Sequence, residues 1–148
     1  MPSTPNEALL DVHVVIASVF ADHVRHEAAR RFVEGLRKFY TTPTTQGGFL
    51  RFATRPWKSA NKEEQPPRLT MADAQAKLRE FTGTNGHVFL PDDAPFTDIG
   101  LRSMQGHRQW TDAYLLFLAR LHGLALGSLE SRMGNLDDEA NPVLFVVT

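Results

Sequence analysis

Between Gly106 and Glu130 the chain reads GHRQWTDAYLLFLARLHGLALGSLE, and this stretch constrains the fold more than any other. From Trp110 to Leu121 it is apolar almost all the way round. A helix of that kind must be covered on several sides rather than along one stripe. Gly123 stops it, and Leu124–Leu129 follows as a short strand. Two acids bracket the unit: Asp112 in the first helical turn and Glu130 just after the strand. Trp110, Ala113 and Tyr114 surround Asp112, which argues against an ordinary solvated charge. A first-turn acid also has a plainer role, because it complements the helix dipole and the free N–H groups there. Whether other acids converge on the same place separates the two readings.

The rest of the chain supplies alternating strands and helices. Ala8–Asp11 reads as a buried strand, with the chain turning at Asp11 into a short helix, Val14–Phe20. His23 to Phe39 has helical spacing, with Val24, Ala28, Phe32, Val33 and Leu36 on one side and Asp22 as an N-cap. Tyr40–Thr42 is a second strand, ended by Pro43. Thr44–Thr54 is a helix that tolerates Gly47 and Gly48. Arg55–Leu69, polar and interrupted by Pro56, Pro66 and Pro67, reads as a long mobile loop. Thr70 caps a helix from Met71 to about Thr82, with Asp73 at its third position. Val88–Leu90 is a third strand, and Pro91–Gly106 a loop with a short helix near Thr97–Met104. An acidic loop, Asn135–Pro142, leads to a last strand, Val143–Val147.

This alternation predicts an α/β fold with a largely parallel sheet. At 148 residues the chain makes one domain with one core. Its charge is nearly balanced at −1, so nucleic-acid contact must come from a local patch rather than a global field. There is no cysteine, which excludes disulfides, thiolate metal sites and cysteine nucleophiles and fits a reducing cytoplasm. No secretory signal opens the sequence, and no apolar run is long enough to span a bilayer.

In open α/β sheets ligands bind beyond the carboxyl ends of the strands. Asp11 ends the first strand, Glu130 follows a later one, and Asp112 opens a helix that can reach the same edge. Three carboxylates gathered there would repel one another, and burial would sharpen the repulsion. A divalent cation relieves it. An all-oxygen ligand set points to a hard ion, Mg²⁺ or Mn²⁺. Such a site suits phosphodiester hydrolysis.

The residues also resemble a known family. LLDVHVVIA at Leu9–Ala17 resembles the opening of PIN-domain ribonucleases, specifically the VapC toxins of bacterial toxin–antitoxin pairs. TTPTTQGGFLR at Thr41–Arg51, FLPDD at Phe89–Asp93 and GHRQWTDAYLLFLARLHG at Gly106–Gly123 are similar to segments of one VapC subgroup. LALGSLE at Leu124–Glu130 resembles the strand that carries the family's last acid. The resemblance covers most of the chain in the right order, and the GHRQ-TDAYLL block is its specific part. It implies a single PIN domain over residues 1–148, with a largely parallel central sheet of four to five strands flanked by helices. It also implies Mg²⁺- or Mn²⁺-dependent cleavage of RNA, a cognate VapB-like antitoxin that blocks the site, and a toxin homodimer. Its acids fall on Asp11, Asp112 and Glu130, where Asp is commoner than Glu at the last. The remaining family acid falls near Gln46, and His13 stands where Asn is usual. These departures leave two alternatives: a catalytically weakened PIN domain acting as a binding module, and a DNA-directed nuclease on the same fold.

Several residues carry a functional and a plainer reading side by side. Gln46 is a weak ligand through its carbonyl, or a polar helix-start residue. His13 is a partner to a ligand carboxylate, or a partly buried imidazole satisfied by backbone. Ser128 orients a metal-bound water, or packs in its strand. His23 and His26 share a helix face but have no third metal partner, and a solvated helix start accounts for them. Thr111 reads as an N-cap. Asp92 and Asp93, and the run Asp137, Asp138 and Glu139, read as solvated turns. His107 and Arg108 precede Asp112 and could hold a phosphate. Arg51, Arg55, Lys58 and Lys62 with Trp57 form either an RNA-facing patch or surface charge packed on an indole.

Overall fold

A computed structural model describes residues 3–100, 104 and 106–148. Ala8, Leu9 and Leu10 are all fully buried, as a run of apolar residues in a central strand must be when both faces of the sheet are covered. This strand, β1 (Glu7–Leu10), leads into helix α1 (Val12–Val19) and then α2 (His26–Gly35). β2 (Lys38–Thr41), α3 (Pro43–Thr54), a two-stranded hairpin β3/β4 (Trp57–Lys58 and Glu64–Gln65) and α4 (Met71–Thr82) follow. β5 (His87–Phe89), α5 (Trp110–Leu121), β6 (Ala125–Ser128) and β7 (Leu144–Val146) complete the chain.

The main sheet has five strands in the order β5-β2-β1-β6-β7, all paired in parallel. The chain moves outward from β1 through β2 to β5, then returns to the other side of β1 for β6. The strand order therefore reverses between β1 and β6, and in open α/β sheets such a reversal is where ligands are held, beyond the carboxyl ends of the strands. Leu9 pairs with Tyr40 on one side and Leu126 on the other, which fixes the register of the centre.

Alternate residues of β1 face different layers. Ala8 and Leu10 join the core built with α1 to α4, while Leu9 joins Leu115, Leu118 and Ala119 of α5 on the opposite face. Six residues of α5 are buried, as its nearly continuous apolar sequence requires. Two glycines permit close approach. A Cβ on Gly127 would lie 2.5 Å from Phe32 Cε2, and one on Gly48 would lie 2.7 Å from Val12 Cγ2, so α2 seats on β6 and α3 on the start of α1. Among the described residues no helix is long and apolar enough to cross a membrane.

The structure corrects several local expectations. The second helix starts at His26, not His23, and Arg25 precedes it without a side-chain cap, so Asp22 is no N-cap. His23 Nδ1 instead accepts the Arg25 N–H at 2.9 Å, holding a turn open where the spacing predicts helix. His26 Nδ1 lies 2.7 Å from the Ala17 carbonyl, so the two imidazoles serve separate backbone groups. The Arg55–Leu69 segment is an ordered hairpin rather than a bare loop. Arg68 fastens it, with its guanidinium carbon 4.2 Å from the Phe52 ring centroid and 4.4 Å from that of Trp57. Asp137 is buried, not solvated. It accepts from the Val143 and Leu144 N–H groups at 2.9 and 2.8 Å and from Arg120 Nη2 at 2.6 Å, tying β7 to α5. A 3-10 turn, Phe96–Asp98, overlaps the start of the expected Thr97–Met104 helix, and residues 101–103 of that span, with 105, lie outside the described residues.

Candidate active site

The crevice at the β1/β6 reversal is where two of the acids stand. Asp11 is the first residue past β1 and the N-cap of α1; it is 3% exposed. One carboxylate oxygen, Oδ1, accepts the Val12 N–H at 2.7 Å. The other, Oδ2, accepts the Ser128 hydroxyl at 2.9 Å. Ser128 ends β6, is fully buried, and accepts the Glu130 N–H at 3.0 Å. This serine is therefore a structural link that fixes the first and last acids relative to each other. Strand packing alone does not account for it.

Asp112 lies in the first turn of α5 and is half-buried. Burial raises its pKa to about 6, and the charges of Asp11 and Glu130 push in the same direction. Asp11 is also held above the ordinary carboxylate range, first by burial and then by Glu130, against the lowering effect of the Ser128 hydrogen bond. A residue serving only to cap a helix dipole would be stabilised in its charged form. Here burial first, and then the charges of Asp11 and Glu130, disfavour that form, which a dipole cap alone does not explain.

The remaining candidates divide. His13 is exposed, not partly buried, and its charge lowers the pKa of both Asp11 and Asp112, which places it at the mouth of the site. Gln46 Nε2 donates to Thr41 Oγ1 at 3.0 Å, and that hydroxyl lies 2.7 Å from His87 Nε2. Burial lowers the His87 pKa, disfavouring the charged ring beside this hydroxyl. Gln46 is thus committed to β2 through its nitrogen, and only its carbonyl remains to face a ligand. His107 and Arg108 are exposed in the 3-10 turn that runs straight into α5. Thr111 lies inside α5 and caps nothing, since the helix follows from that turn without a side-chain cap. Arg51 is exposed, and its Nη1 sits 3.2 Å from where a Cβ on Gly47 would be, so the side chain lies back along α3 towards the strand ends. Trp57 is half-buried and carries the Arg68 guanidinium 4.4 Å from its ring centroid. Asp92 accepts from the N–H and hydroxyl of Thr44 at 3.1 and 2.8 Å, and Asp93 pairs with His122 at 2.9 Å.

Two contributors escaped the sequence reading. Thr45 donates its hydroxyl to the Leu10 carbonyl at 3.1 Å and holds the start of α3 against β1; the only signal for it is the Thr42-x-x-Thr45 capping spacing. Arg132 Nε donates to Glu130 Oε1 at 3.2 Å. Among the described residues no three acidic or histidine side chains are gathered tightly enough to enclose an ion as they stand. The donors nonetheless fit a hard divalent cation: all are oxygen, two are held above their ordinary pKa by burial and mutual charge, and Glu130 has only an exposed partner to exchange.

A parallel sheet with carboxyls at its reversal point, fed by α5, defines the class: the sequence matches the PIN domain family over residues 8–139, and the chain belongs to that family. Its relatives include Ribonuclease VapC29 of Mycobacterium tuberculosis, 38% identical over 141 residues that cover 95% of this chain and 98% of that protein. Ribonuclease VapC39 of the same species is 35% identical over 133 residues, covering 86% of this chain and 91% of that one. Ribonuclease VapC38, also of that species, is 33% identical over 126 residues, covering 84% and 85%. In three dimensions the chain resembles one in the crystal structure of VapBC2 from Rickettsia felis bound to a DNA fragment from their promoter. The TM-score is 0.65 at 11% identity, over 96% of this chain and 99% of that one, a likeness of fold.

Proposed function

We propose that this chain is a VapC-type toxin: an endoribonuclease dependent on Mg²⁺ or Mn²⁺, working in the cytoplasm as a homodimer and silenced by a cognate VapB-like antitoxin. The observation that carries this reading is the electrostatics at the ends of β1 and β6, where Glu130 raises the proton affinity of Asp11, and Asp11 and Glu130 both raise that of Asp112. The names of the relatives support RNA as the substrate, and the VapBC2 likeness supports an antitoxin partner.

In this reading Asp11, Asp112 and Glu130 hold the ion, and Glu130 exchanges Arg132 for it. A divalent ion bound there would polarise water and offset charge on the phosphate. Ser128 aims Asp11 by donating to its carboxylate, a bond that favours the charged form against the burial that opposes it. Arg108 and Arg51, exposed beside the rim, hold phosphates of the strand. The antitoxin blocks the site by covering the same cations with an acidic segment. The Glu130–Arg132 pair favours one rival, a PIN domain that binds RNA without cutting it, because that arginine competes with the ion for a ligand.

The test is pooled cellular RNA incubated with the purified protein and Mg²⁺ or Mn²⁺, with and without chelator, followed by mapping of the cut ends. Cleavage should require the metal and disappear in a folded Asp112→Asn variant. A variant that cuts like the wild type refutes the site. Binding without cutting supports the rival.

A further inference from the structure

The first turn of α5 carries more than Asp112. Trp110 opens the helix and Tyr114 lies one turn on, on the same side. The Phe96 ring lies flat against Tyr114, with centroids 4.4 Å apart and planes 6° from parallel, and Trp110 stands 6.4 Å away at 51°. Tyr114 is buried, and its hydroxyl donates to the Ala94 carbonyl at 2.9 Å, fixing the base of the stack. Phe96 and Trp110 are 48% and 39% exposed. One face of Phe96 is occupied by Tyr114, so its exposure belongs to the opposite face and the ring edges. Two aromatic rings, held rigid from below, thus lie open at the helix end that bears an active-site acid.

We propose that Phe96 and Trp110 form a stacking platform for an unpaired base of the RNA substrate, a short run of nucleotides away from the phosphate that is cut. The inference rests on the ribonuclease reading. Three features favour a nucleobase as the occupant. The platform shares a helical turn with Asp112: the two positions differ by about 3 Å along the axis and lie on different sides of a helix about 10 Å wide, a gap that a short run of nucleotides spans. His107 and Arg108, both exposed, precede Trp110 directly and supply cations for the phosphates between base and acid. Finally, a flat ring with one face free is what a base stacks on, and only an unstacked base of a single strand can reach it. The platform would therefore select single-stranded RNA over duplex and place the scissile bond relative to the splayed base.

The experiment uses the full chain carrying Asp112→Asn, in chelator, so that a fluorescent oligouridylate is bound and not cut. Phe96→Ala and Trp110→Ala should each weaken binding about fivefold or more, the lower end of what a stacked base contributes. Phe96→Tyr should restore it, while Phe96→Leu, which keeps apolar packing on Tyr114, should not. A strand of the same length with abasic sugars should bind the unsubstituted platform as weakly as the alanine variants bind the oligouridylate. Unchanged affinity in Phe96→Ala, or rescue by Phe96→Leu, overturns the platform. So does a loss that tracks a fall in molar mass by light scattering, because the patch is then an interface between protein chains. RNA bound through Phe96 by a wild type that cuts nothing upholds the platform and defeats the ribonuclease reading. A chain that binds no RNA defeats both.

Discussion

Asp112→Asn should make the metal-free protein more stable at neutral pH. An aspartate has an ordinary pKa of 3.8, and in the folded chain burial and the other two acids raise this one to about 6. A raised carboxyl binds its proton more tightly when folded than when unfolded. Its charged form is therefore a penalty on folding that is absent below pH 4, grows as the pH climbs through the interval, and is complete above about pH 6.5. At face value the separation corresponds to about 3 kcal/mol. Asp112 is only half-buried, and solvent screening reduces this to about 1.5 kcal/mol. Removing the charge also forfeits its interaction with the N-terminus of α5, about 0.5 kcal/mol. The net gain is about 1 kcal/mol, or a Tm higher by about 3 °C for a domain of this size. Thermal unfolding of both proteins in chelator at pH 5 and pH 8 measures it, and the gap between them should widen with pH. A variant less stable than wild type at pH 8, or a gap that ignores pH, refutes the claim that the acids crowd one another.

Ser128→Ala should destabilise the chain by about 1–3 kcal/mol in chemical denaturation, because it strips a partner from buried Asp11 and from the Glu130 N–H together; a neutral result means the link carries no strain. Arg132→Ala frees Glu130 and should lower the Mg²⁺ or Mn²⁺ concentration that gives a half-maximal rise in Tm, an effect read by thermal shift in a metal titration. An unchanged midpoint would show that Glu130 does not reach the ion.

The elements that the chain announced are those whose signals are local. Thr70 caps α4 and its hydroxyl accepts the Asp73 N–H at 3.1 Å, and that helix runs from Met71 to Thr82 as its capping spacing predicts. The apolar run of α5 gives Trp110–Leu121 without error, because no other structure hides so many large side chains in sequence. Asp11 could be placed at a strand end because β1 is an uninterrupted apolar run. The failures involve contacts between distant segments. Nothing near Asp137 marks it as buried; Arg120 and the amides of β7 make it so. Strands of two residues, such as Trp57–Lys58, are too short to show a period, and the hairpin depends on Arg68 packed between rings from two elements. The places of Asp11 and Glu130 just beyond β1 and β6 could be argued from topology, but the contacts they make could not. Ser128 meets Asp11 across a strand pair, and Arg132 diverts Glu130 by a side-chain choice that no spacing encodes.

The pairing of Ser128 with Asp11 joins residues 117 positions apart. A ribosome makes Asp11 early, and β1 can pair with β2 once Thr41 has emerged, since domains begin to assemble from their N-terminal parts during synthesis. The crevice cannot form then. It waits for α5, β6 and Glu130, which are made well after β1 and β2. Until that moment the growing chain carries one orphan carboxylate and no centre able to hold an ion. The sheet order thus makes the link between Asp11 and Ser128 a late product of folding, closed only after β6 has been made and has paired with β1.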